Sequence, residues 1–197
     1  MTDIVTLTEG RVSVFIAVDH TSDECVGSHA AHSDNRYEAL EPVRQGVLRH
    51  FGGIEKDAAK GLALRHDHGW NTMSGDVQDQ ISFLCIRSAP SFVRQPEGNG
   101  VAERSTRTLK ENFLWVHTFD TVEELRRELQ IFVAHDNAPW LVARHGYRTP
   151  NLLRARGVLV SAHHRTVHRP VFRFRAIAKC RSRRSHTPPL AHLMKRV

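Results

Sequence analysis

The sequence has no apolar run approaching the ~18 residues that a membrane-spanning helix needs, so no such helix is expected. Its opening, MTDIVTLTEG, lacks a basic stretch followed by an apolar one, and no secretory signal peptide is visible. Cysteine is scarce: Cys25, Cys85 and Cys180 are widely spaced and odd in number. That excludes a disulfide framework and a CxxC metal knuckle, and a reducing cytoplasm is the simplest compartment. Acid is missing altogether after Asp136. Residues 1–136 hold all 21 acids and 14 of the 28 Lys and Arg, a formal −7; residues 137–197 hold the other 14 and carry +14. The split suggests an acidic, metal-binding body with a basic arm that meets polyanions, without saying which polyanion.

What is present supports a fold. Hydrophobic residues make up 40% of the 197 and charged residues 25%, enough for a sizeable core. Residues 3–8 are rich in β-branched side chains, and Glu9-Gly10 offers a turn. RVSVFIAVD, residues 11–19, predicts a strand buried on both faces, and residues 25–31 a third strand. These three form an antiparallel meander.

Ser33-Asp34 then offers a helix N-cap, and Gly52-Gly53 closes the helix. Pro42 must kink it or mark its start. A short strand over 61–65 ends in His66-Asp67-His68-Gly69. A short helix over 73–80, a strand over 81–86 and a loop over 88–100 follow. Residues 99–116 predict a helix with Ala102, Leu109, Phe113 and Val116 on one face and Glu103, Arg107 and Lys110 on another. Thr121 and Glu124 form a capping box for a last helix with the stripe Val122, Leu125, Leu129, Phe132 and Val133. The order β-β-β-α-β-α-β-α-α is that of an α/β mixed sheet with helices packed on it. From Gly157 onward no amphipathic period survives, so the division is a core over 1–156 and a basic, disordered tail over 157–197.

Three carboxylates stand at the ends of these elements: Asp3 on the first strand, Asp67 after the fourth, Glu103 on the helix that follows. Carboxylates near one point repel unless cations neutralise them, which makes them natural ligands for hard ions such as Mg²⁺. Two such ions about 4 Å apart activate an attacking oxygen and stabilise a leaving one in phosphoryl displacement. Each acid also has a plainer role. Asp67 is a turn residue, Glu103 pairs with Arg107 at i, i+4, and Asp19, a competitor to Asp3, caps the turn after its strand.

Taken together, the motifs Thr2-Asp3-Ile4, VFIAVDHTSDECVG (Val14–Gly27), LRHDHG (Leu64–Gly69), PEGNGVAERSTRTLKEN (Pro96–Asn112) and WLVARHGYRTP (Trp140–Pro150) resemble the catalytic core of insertion-sequence transposases and retroviral-type integrases, the DDE group. The resemblance spans Thr2 to Pro150. It includes the 35 residues between Asp67 and Glu103, the Gly98-Asn99-Gly100 turn before Glu103, and Lys110 seven residues after it.

The resemblance implies a ribonuclease-H-like fold in which Asp3, Asp67 and Glu103 are catalytic and bind two Mg²⁺ or Mn²⁺ ions. It selects Asp3 over Asp19, because the family's first Asp precedes the long second strand. It implies DNA cleavage and strand transfer without a covalent intermediate, with DNA as partner and Asn99, Arg107 and Lys110 at its phosphates. Multimers on paired DNA ends are implied too. The family's upstream DNA-recognition domain is expected to be truncated from this chain, so a separate recognition domain is an expected partner. The sequence departs from the family at Ser105, where an aromatic is usual, and at Asp136-Asn137, where Tyr-Asn is common. The alternative reading is an inactive remnant that binds DNA non-specifically through residues 157–197. A zinc site on His66, His68, His164 and His168 is disfavoured, since no HExxH motif is present.

Overall fold

Gly10 adopts φ +78°, the left-handed region open to glycine, and turns the chain between strands β1 (Thr2–Thr6) and β2 (Gly10–Val18). The computed structural model describes residues 1–66, 74–90 and 100–156. β1 pairs antiparallel with β2, which pairs antiparallel with β3 (Cys25–Ala31), so the expected meander forms with β2 at its centre. Val12, Ser13, Val14 and Phe15 are all buried while Ile16, Ala17 and Val18 are half-buried, so the strand is covered on both faces over its middle and opens toward its end.

Helix α1 (Arg36–Phe51) lies against β3 and β2. Its N-cap is Asn35 rather than Ser33 or Asp34. The Asn35 carboxamide accepts from the backbone N–H groups of Tyr37 and Glu38, reaching two free donors of the first turn. Gly52 ends the helix at φ +82° and donates to Leu48 O, as expected. Pro42 sits inside the helix, so it does not mark the start. Gly27 explains how β3 and α1 meet there: a Cβ on Gly27 would stand 2.0 Å from the Pro42 carbonyl oxygen. Only glycine permits that approach.

Beyond α1, strand β4 (Ala63–His66) pairs in parallel with β5 (Arg87–Pro90), and helix α2 (Gly75–Phe83) lies between them in sequence. Two expectations need correction here. The strand expected over 81–86 is instead the end of α2 and the turn after it, because Val77, Ile81 and Leu84 recur at helical spacing and bury together against Val47. A short apolar run does not by itself separate a strand from a buried helix end. Cys85, at φ +58°, then reverses the chain, and the first part of the expected loop over 88–100 becomes β5.

Helix α3 (Gly100–Leu109) continues into a π turn (Lys110–Leu114), closed by Trp115 N–H donating to Lys110 O. The wider turn shifts the helical phase. Phe113 and Leu114 are therefore buried, while Val116, expected on the apolar face, is 60% exposed. Helix α4 (Val122–Asn137) starts at its predicted cap: Thr121 Oγ1 accepts from Glu124 N–H at 3.2 Å, and Glu124 Oε2 accepts from Asp120 N–H at 2.6 Å. Glu9, from the β1–β2 turn, adds a further cap on Val122 N–H at 2.6 Å. Val122, Leu125, Leu129 and Val133 are buried with Val12, Val14, Leu109 and Phe113 in one core; Phe132 packs against it. A second core joins α1, α2, β4 and the turns around them, with Ala59 and Ile86 among its buried residues. The element order is the expected one, with antiparallel and parallel pairing in two ladders among the described residues.

Candidate active site

Asp3 lies in the middle of β1, opposite Ser13 on β2. Its Oδ1 accepts from Ser13 Oγ at 2.8 Å, and its Oδ2 accepts from Arg11 at 2.6 Å. Burial pushes this carboxyl up, but the hydrogen bonds from Arg11 and Ser13 and the Arg11 charge outweigh it, and the net pKa is below the ordinary value. The Asp3 side chain is 33% exposed and Arg11 73% exposed. The group is thus an ionised carboxylate, fixed on one side by a buried hydroxyl and balanced on the other by a surface arginine that can move away.

Glu103 lies in the first turn of α3 and is exposed. The helical pair expected with Arg107 does not form: Arg107 faces Glu111 instead, at 3.9 Å with both side chains mostly exposed. Glu103 has no ion pair among the described residues. Lys110, half-buried, opens the π turn after Leu109. α3 packs against β2, the strand hydrogen-bonded to β1.

Asp67 and Asn99 lie outside the described residues, as do His68, His164 and His168. β4 ends at His66, immediately before Asp67; His66 is buried with Nε2 2.9 Å from Ser88 Oγ on β5. The donor set suits a hard divalent ion: Asp3 is ionised, Glu103 is exposed, and both supply oxygen. Among the described residues, no three His, Cys, Asp or Glu side chains assemble around one point.

Asp19 takes the turn-capping role. It accepts from Thr21 N–H at 3.2 Å and Ser22 Oγ at 2.7 Å, and pairs with Arg154 at 3.1 Å. Beside it sits a polar cluster that sequence reasoning missed. Glu24 is 1% exposed and is held by Arg154, with Arg49 at 3.7 Å and His50 at 3.5 Å. No local spacing announces this cluster, since Glu24 and Arg154 are 130 positions apart. Asn137, flagged only as a departure from a family pattern, is a buried clamp on β3 through both backbone groups of Cys25.

This is a ribonuclease-H-like fold of the integrase-core type. The structure is similar to a chain of the simian T-cell lymphotropic virus intasome in complex with PP2A regulatory subunit B56 gamma, with TM-score 0.58 and 17% identity over 93% of this chain. The match spans 58% of that viral chain, less than two thirds of its length. It is also similar to the catalytic core domain of BIV integrase, with TM-score 0.54 and 16% identity, covering 85% of this chain and 96% of that one. No family profile and no curated protein matches the sequence.

Proposed function

We propose that this chain is the catalytic core of a metal-dependent DNA strand-transfer enzyme of the transposase or integrase kind. The observation that supports this reading most is the position of the acids on an integrase-core fold: Asp3 on the first strand and Glu103 in the first turn of α3. Asp67 follows directly on the end of β4. These three residues would hold Mg²⁺ or Mn²⁺. When bound, such ions polarise a phosphodiester and stabilise the attacking and leaving oxygens. Arg11 and Ser13 keep Asp3 ionised, so no proton must leave before it can act as a ligand. Arg107 and Lys110 follow Glu103 along the same helix and the π turn that continues it and steer phosphates; Asn99, which precedes that helix in the sequence, is a further DNA contact in this reading. The reading carries DNA as substrate, assembly of several copies on it, and a separate DNA-recognition domain.

The test is incubation of the purified chain with nicked or branched DNA and Mn²⁺ or Mg²⁺, beside Asp67→Asn and Glu103→Gln. Metal-dependent nicking or strand transfer lost in both variants is the expected result. Activity that survives both variants or ignores metal overturns the assignment. No activity, with DNA binding that is unchanged in the variants, steeply salt-dependent and lost on deletion of residues 157–197, points instead to an inactive DNA-binding remnant.

A further inference from the structure

Asp3 is held by two neighbours of unlike kind on β2. Ser13 stands directly opposite it and is buried, and its one hydroxyl proton goes to Asp3 Oδ1 at 2.8 Å. Arg11 stands opposite Val5 and reaches Asp3 along the diagonal of the ladder, placing Nη2 2.6 Å from Oδ2. A carboxylate turns about its Cβ–Cγ bond, so a fixed Oδ1 fixes Oδ2 with it. The buried hydroxyl therefore decides where Oδ2 points, and the guanidinium lies on that oxygen.

The two contacts respond differently to a divalent cation at Oδ2. A hydroxyl is neutral and can keep its hydrogen bond to Oδ1 while the other oxygen serves as a ligand, as the outer partners of ligating carboxylates do. A guanidinium is positive and repels a second cation at the same oxygen. Arg11 is free to give way. Its side chain is mostly exposed, and Asp34, on the loop before α1, attracts the same guanidinium. Ser13 is not free to move, because it is buried in the central strand of the meander.

We propose that Ser13 positions Asp3 for a divalent cation and that Arg11 competes with that cation for Oδ2. The inference rests on the metal-binding reading above and adds to it a positioning residue and a counter-ion that must be displaced. Two neighbours of one carboxylate then have effects of opposite sign. Loss of the Ser13 hydroxyl weakens cation binding, and loss of the Arg11 charge strengthens it. An ion pair and a hydrogen bond that only staple the hairpin produce no such split.

The test is titration of the full chain with Mn²⁺ at low salt, free Mn²⁺ being read by electron paramagnetic resonance. Arg11→Gln, Ser13→Ala, Ser13→Thr and Asp3→Asn are titrated beside the unsubstituted chain. Arg11→Gln should bind Mn²⁺ roughly two- to fivefold more tightly, the worth of an exposed ion pair, and the gain should shrink at high salt. Ser13→Ala should bind roughly tenfold more weakly, and Ser13→Thr, which keeps the hydroxyl, should regain most of that loss. Arg11→Gln that binds no more tightly, or a folded Ser13→Ala with undiminished affinity, overturns the inference while Asp3-dependent binding stands. Should Ser13→Ala fail to fold, the Arg11→Gln result decides. Affinity left unchanged by Asp3→Asn overturns the metal-binding reading of Asp3 and this inference with it.

Discussion

Replacing Asn137 with alanine should destabilise the fold more than any surface substitution. Asn137 is 1% exposed at the last position of α4. Its Oδ1 accepts from Cys25 N–H at 2.8 Å, and its Nδ2 donates to Cys25 O at 2.9 Å. Cys25 opens β3, which has no strand on its far side among the described residues. The same edge is answered by other side chains: Gln45 accepts from Ser28 N–H, Gln130 donates to Ser28 O, and Arg126 donates to Ala30 O. Side chains from α1 and α4 thus substitute for a missing strand. In Asn137→Ala, one buried donor and one buried acceptor lose their partners. At about 1–3 kcal/mol for each unsatisfied group, with some relaxation and water entry, the expected loss is about 2–4 kcal/mol.

Asn137→Asp is the sharper probe. It keeps an acceptor for Cys25 N–H but sets a second oxygen against Cys25 O. Burial raises the folded pKa of the introduced acid, because the protonated form alone can donate to that carbonyl. Its stability contribution is therefore present below the unfolded carboxylate value and lost as pH rises through the folded value. The variant should recover stability on acidification relative to Asn137→Ala. Urea unfolding at several pH values measures both effects. A loss under about 0.5 kcal/mol for Asn137→Ala, or an Asn137→Asp difference that ignores pH, refutes the clamp.

Gly27→Ala should cost at least about 1–3 kcal/mol or block folding, since its Cβ would meet the Pro42 carbonyl at 2.0 Å; the urea midpoint reads this directly. Arg154→Ala should cost about 2–4 kcal/mol, because it leaves buried Glu24 with only the longer contacts to Arg49 and His50, and thermal unfolding at neutral pH checks it. Asp3 has a lowered folded pKa, so what it adds to stability is present above the unfolded value and fades as pH falls through the folded one. Arg11→Ala should move the Asp3 titration upward, as followed by NMR. Burial pushes the Cys25 thiol to about 12, so a thiol reagent at pH 8 should label half-buried Cys85 in the native protein and reach Cys25 only on unfolding.

Local regularities were legible in the sequence wherever one residue's neighbours decide its conformation. Gly10 and Gly52 turn where they were expected to, Thr121 caps α4, and the continuous apolar run of β2 and the helical stripe of α4 go into the core. The order of the elements follows from these signals. The same reasoning misplaced the run Ile81–Ile86, because a buried apolar segment looks alike in a helix and a strand and only packing against α1 separates them. It missed the π turn after Leu109, a change of one residue in helical phase that no composition marks. It missed the Glu24 cluster and the Asn137 clamp for a common reason. Each joins residues more than 100 positions apart, and a buried polar group finds its partner through the folded path of the chain rather than through any spacing within it.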